Sequence, residues 1–139
     1  MKKILFEIAT PEQVLLRDEI DEVTVPTMLG DVTVLPSHTP LVSVIKPGEL
    51  RVKKGAQESF IVIHGGFIQV QPGSKVNILA DAAEKVEELE EKAIEDAKKR
   101  AEAAIAQKRG AVEIADAQAA LARALLQLKV VRRRKSRRM

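Results

Sequence analysis

All six prolines and six of the seven glycines of this 139-residue chain fall within its first 73 residues, and only Gly110 lies beyond. Prolines and glycines punctuate a chain, so frequent turns are forced before that point and long uninterrupted elements are permitted after it. The β-branched residues divide at the same place. Residues 1–79 contain 24 Val, Ile or Thr, whereas residues 81–128 contain five, against 15 alanines. β-branched side chains suit a pleated surface and alanine suits a helix. The expected architecture is an antiparallel β-sandwich or barrel over 1–83, the boundary falling near 80–84, followed by a two-helix antiparallel hairpin over 84–139.

Within the first region, β-type runs at 4–8, 22–26, 31–35, 41–45, 50–52, 59–63, 67–70 and 75–79 alternate with turn signals, predicting eight or more short strands. Gly30, Gly48, Gly55 and Gly73 suit the turns, and the Gly65-Gly66 pair between two apolar runs suggests a kink or close backbone packing. The second region repeats at helical spacing. Val86, Leu89, Ala93, Ala97, Ala101 and Ile105 form a narrow seam with Glu and Lys on the other faces, and Gly110 is the expected stop, preceded by Lys108 and Arg109. A second helix from about 111 to 133 would carry Ile114, Leu121, Leu125 and Leu128 on one side. Alanine seams bring helices close but bury little area, at about 25 cal/mol per Å², so the hairpin should be weakly held and able to move.

The chain has no cysteine, which excludes disulfides, thiolate metal sites and cysteine nucleophiles, and its aromatic residues are Phe6, Phe60 and Phe67 alone. Stacking platforms for single-stranded nucleic acid are therefore missing. Its apolar runs are far shorter than the roughly 18 residues that span a bilayer. Glu7 interrupts the apolar residues after the first lysines, so the start reads as a strand rather than a signal segment. No GxxxxGK[ST] or GxGxxG loop occurs. His38 and His64 lie in separate strand–turn segments without metal-ligand spacing, so neither is expected to be catalytic or to hold a metal. Nothing here points to an autonomous enzyme.

The net charge of +3 hides a division: residues 129–139 carry seven cations and no acid, which leaves −4 for residues 1–128. A tail of that kind seeks an acidic surface. Nucleic acid, anionic lipid and an acidic protein segment all qualify.

Four stretches in order carry a resemblance. They are Gly-Asp-Val-Thr-Val-Leu-Pro-Ser-His-Thr-Pro-Leu at 30–41, Lys-Pro-Gly-Glu at 46–49, Gly-Gly-Phe at 65–67 and Val-Asn-Ile-Leu-Ala-Asp-Ala-Ala-Glu at 76–84. Together they resemble the epsilon-subunit family of the bacterial F-type ATP synthase over essentially the whole chain. The resemblance implies a ten-stranded sandwich and a two-helix domain in a non-catalytic rotor subunit of the central stalk. Such a subunit binds gamma, sits on the c ring, links proton flow to ATP synthesis and is peripheral on the cytoplasmic face of the bacterial inner membrane. It also implies helices that switch between a folded form and an extended form that inhibits ATP hydrolysis. Neither nucleic acid nor membrane insertion is expected.

The resemblance places Asp31 and His38 at the c ring, within the segments 27–31 and 38–41. It makes Arg123, Lys129, Arg132, Arg133, Arg134 and Lys135 the cations available to an acidic segment of beta. A helix over 111–133, roughly 35 Å at 1.5 Å per residue, has the reach for it. Some members of the family bind ATP through an Ile/Leu-Asp-x-x-Arg-Ala motif. Here the aligned residues are Leu89, Glu90, Glu91, Lys92, Ala93 and Ile94. Glu84, Arg100 and Arg123 match other positions of that site, but Asp116 and Gln127 stand where further arginines are found. Each missing charge-assisted contact costs about 1.5–3 kcal/mol, so no cofactor is expected and ATP binding should be weak or absent.

Overall fold

The β-branched runs become ten strands in the computed structural model, which describes residues 2–107 and 110–138, the side chains of 135–138 excepted. They are β1 (Ile4–Ala9), β2 (Val14–Ile20), β3 (Glu22–Thr27), β4 (Gly30–Val34), β5 (Leu41–Ile45), β6 (Gly48–Lys54), β7 (Gln57–Ile63), β8 (Gly66–Gln71), β9 (Lys75–Ala80) and β10 (Ala83–Lys85). A 3-10 turn (Val86–Glu88) precedes α1 (Glu91–Ala106) and α2 (Ala111–Arg138). Residues 1–85 and 86–139 form two compact units. The division falls two residues beyond the expected 83/84 because β10 pairs with β7 through Ala83↔Ile63 and Lys85↔Ile61. Two strands had no β-type signal: β2 is broken by Arg17, Asp18 and Glu19, and β10 is only three residues long.

The strands form one ladder in the order β10-β7-β6-β3-β5-β8-β9-β1-β2, with β4 on β3. Strand β3 makes the corner: its first half pairs with β6, and Thr27 at its end pairs with Ile45 of β5. A strand that changes partners along its length lets a single sheet fold into two layers. Nine of the ten strands supply the shared core, including Phe6, Ile8, Val25, Leu50, Ile63, Ile68 and Ile78.

Gly66 is where the backbone requires glycine most plainly. Its φ is +143°, and a Cβ there would lie 2.8 Å from the Ala80 Cα and collide with the Leu79 carbonyl. The missing side chain lets β8 close onto β9 and fixes Phe67, the next residue, on the outer face.

The hairpin departs from its expected seam by one residue on α1 and by one side chain on α2. Ile94 and Ala101 are buried on α1, whereas Ala93 is exposed. On α2, Ala117, Ala124, Leu128 and Val131 are buried and Ile114 and Leu121 are half-buried. Those six positions alternate three- and four-residue steps, the spacing of a coiled-coil seam. Leu125 falls off that stripe and stays 47% exposed. Gly110 does not stop α1, whose C-cap is Gln107. It precedes α2 and accepts the Ile114 N–H at 2.9 Å, with the Glu113 carboxylate packed back over it as in a capping box. Lys108 and Arg109 lie outside the described residues. Helix α2 runs five residues past the expected 133, so the described part of the basic tail, 129–138, is helical.

Candidate functional site

Strand register places an apolar row on the outer face of the second layer. Reading across neighbours, Val44 of β5 faces Phe67 of β8, Phe67 faces Leu79 of β9, Leu79 faces Ala9 of β1, and Ala9 faces Val14 of β2. The row holds its line at Val14 because a bulge after Ile8 shifts the β1–β2 register by one. Phe67 is 55% exposed and Leu79 64%, while Val44 and Val14 are each nearly half exposed. Val42 and Leu5 extend apolar surface on the same face. The next row, Val42–Gln69–Asn77–Glu7–Arg17, is polar after its first member and contains the 3.4 Å Arg17–Glu7 ion pair. A contiguous apolar row rimmed by polar residues is the surface expected of a protein contact.

Asp31 and His38 follow one another along β4 and the loop after it. The β3–β4 hairpin closes through buried Thr27, whose hydroxyl donates to the Gly30 carbonyl at 2.6 Å and accepts the Leu29 N–H at 3.2 Å. This holds Met28 and Leu29 at the tip, 66% and 88% exposed, beside exposed Asp31. His38 is half-buried, and its Nδ1 lies 2.6 Å from the Thr39 carbonyl. Ahead of it, Ser37 takes the left-handed φ of 68° and donates its N–H to the Ser74 Oγ at 2.8 Å. Ser74 is left-handed too, at 58°. Strained non-glycine residues persist where surrounding bonds hold them, and here they tie the His38 loop to the β8–β9 turn.

Glu84 hydrogen-bonds the His64 Nε2 at 2.7 Å, from β10 to the end of β7. His64 thus has a carboxylate partner that sequence spacing hides, because the contact spans 20 residues. Arg100 and Arg123 are exposed on α1 and α2 of the other unit, and Asp116 is exposed on α2. Among the described residues no group of three or more His, Asp or Glu could hold a metal ion.

The basic cluster is partly spoken for. Arg132 donates through Nε to Glu91 at 3.0 Å and through a terminal nitrogen to Glu95 at 2.7 Å, both on α1. Its hydrogen bond to Glu91, then that to Glu95, raises the guanidinium pKa above its already high ordinary value. The tail contains no acid of its own, and the acids that engage Arg132 come from the facing helix. Arg123 and Lys129 are exposed, Arg133 and Arg134 are half-buried, and the Lys135 side chain lies outside the described residues. No helix among the described residues is long and apolar enough to cross a membrane.

Residues 3–86 match the family model described as ATP synthase, Delta/Epsilon chain, beta-sandwich domain, and residues 87–132 match its long alpha-helix domain. The chain is 39% identical over 136 residues to an ATP synthase epsilon chain of Dehalococcoides mccartyi, covering 97% of this chain and 96% of that one. It is 40% identical over 134 residues to the one from Herpetosiphon aurantiacus, covering 96% and 98%. Among solved structures it is similar to a chain of the Euglena gracilis mitochondrial ATP synthase OSCP/F1/c-ring assembly. That match has a TM-score of 0.68 and 27% identity, and covers 86% of this chain and 75% of the other. A chain of the Tetrahymena thermophila mitochondrial ATP synthase central stalk and c ring shares the fold, with a TM-score of 0.56 at 15% identity.

Proposed function

The chain belongs to the delta/epsilon chain family of the ATP synthase, and from that premise we propose that it is a non-catalytic rotor subunit whose sandwich docks on gamma through the apolar row. The observation that carries this reading is the row itself, five strands wide on a face the fold leaves uncovered. Surface of this kind gains free energy when a partner removes it from water. The hairpin tip, with Met28, Leu29 and Asp31 in line, meets the polar loops of the c ring, and His38 stands in the loop that follows. Linked this way, the chain passes torque between ring and stalk and so couples proton flow to ATP synthesis. It would sit as a peripheral subunit on the cytoplasmic face of the bacterial inner membrane. The helical unit acts separately: when extended, α2 brings Arg123, Lys129 and the cations of 132–135 to an acidic segment of beta and inhibits ATP hydrolysis.

The same reading carries no cofactor. Ala93 is exposed where a phosphate-facing arginine would stand, and Glu84 is engaged by His64. Calorimetry with ATP should register weak binding or none.

Photo-crosslinkers at 67, 31 and 38 in the assembled enzyme test the docking scheme. Position 67 should capture gamma, and positions 31 and 38 should capture subunit c. Capture of neither partner overturns the assignment.

A further inference from the structure

The bulky contacts of the hairpin are concentrated away from its turn. Toward the turn the buried seam residues are alanines, Ala101 and Ala117, and the apolar cluster of Ile94, Ala124, Leu128 and Val131 lies beyond them, with Val86 and Leu89 packed against it. The double ion pair of Arg132 with Glu91 and Glu95 lies at that same end, one residue past Val131. Glu91 and Glu95 are four apart and therefore share a face of α1. Both of their carboxylates reach one guanidinium.

We propose that Glu91 and Glu95 form a release catch: they hold Arg132 while the hairpin is closed, so that this arginine can meet an acidic partner segment only after the catch opens. This inference rests on the inhibitory role proposed above for the extended helix. An acidic partner and the Glu91–Glu95 pair compete for the same cation: two of its five N–H groups are bonded to α1, and the two carboxylates hold it against that helix and offset its charge. Removing the two α1 charges therefore strengthens inhibition, whereas removing Arg132 has two opposed effects on it. Without the catch, the closed state is weakened while the cation remains. Without Arg132, the closed state and the partner contact are both weakened. The contact is solvent-exposed, so salt must weaken it.

The test uses the full chain, with hydrogen exchange of the α2 amides from 120 to 134 and the sandwich amides as internal reference. The E91Q/E95Q double variant should exchange roughly two- to tenfold faster in α2 at low salt, as expected for losing two exposed ion pairs, and the difference should shrink at high salt. A charge swap, Arg132→Glu with Glu91→Arg and Glu95→Arg, should restore protection. It keeps the test decisive if the double variant loses its hairpin altogether. Exchange equal to wild type at low salt, or a swap that restores nothing, overturns the catch. In assembled enzyme the E91Q/E95Q chain should inhibit hydrolysis more strongly than wild type, and equal inhibition despite faster exchange overturns the competition. An enzyme that no form of the chain inhibits refutes the inhibitory reading and the competition with it, while exchange still decides whether the catch exists.

Discussion

Replacing Phe67 with Ser separates docking from folding. A phenylalanine side chain offers about 200 Å², and at 55% exposure about 110 Å² of it remains for a partner to cover. At about 25 cal/mol per Å² that area is worth about 2–3 kcal/mol, a 30- to 100-fold change in Kd for gamma. The sandwich itself loses less. Phe67 stands on the outer face, and its contacts there are the cross-strand pairs with Val44 and Leu79, worth about 0.2–1 kcal/mol each. The melting temperature should therefore fall by no more than about 16 °C. Titration of purified gamma with each form, read by interferometry beside a thermal melt, measures both quantities. A Phe67→Ser chain that melts near wild type and binds gamma within threefold of it refutes the assignment of the row.

Gly66→Ala should be far more damaging than any change on the row, because left-handed strain and a collision with the β9 backbone coincide: about 3–6 kcal/mol, read as loss of cooperative unfolding of the sandwich. Leu128→Ala, at 2% exposure, should cost the hairpin roughly 2–4 kcal/mol, visible as lost helical signal with the sandwich transition unmoved. Asp21 is hydrogen-bonded by Lys3 and by the Gly55 N–H, and these hold its carboxyl below the ordinary carboxylate range. A depressed folded-state pKa stabilises above the unfolded value near 3.9 and is lost as pH falls through the folded one. Asp21→Asn should accordingly melt below wild type at pH 7, with the difference shrinking as the pH falls below the ordinary carboxylate range.

Much of this architecture could be read from residue order. The change from β-branched to alanine-rich sequence near residue 80 reflects the backbone preferences of the two units, and the division after Lys85 lies close to it. Strand β2 is hard to read because it is an edge strand in which Arg17, Asp18 and Glu19 cut the apolar run short after Leu16. The spacing puts Ala93 on the seam because alanine fits any face of a helix. Only the partner helix decides that Ile94 packs and Ala93 does not. The apolar row was equally hidden. Each of its members is one residue of an ordinary alternating strand, and they become neighbours through the β1–β9 and β8–β9 registers, which no local pattern encodes. For Arg132 the sequence shows a cation amid cations, and the acids that engage it lie 37 and 41 residues earlier.

The central claim divides the labour between two units: the sandwich attaches the chain to the rotor, and the helices restrain hydrolysis. A stop after Lys85 keeps β10 on β7 and the sandwich core intact. The most direct measurement is ATP hydrolysis by enzyme reconstituted with either the full chain or residues 1–85, with the bound amount of each determined alongside. Equal incorporation, with hydrolysis restrained by the full chain alone, is the predicted result. A truncated chain that fails to incorporate, or one that restrains hydrolysis as strongly as the full chain, would contradict the account.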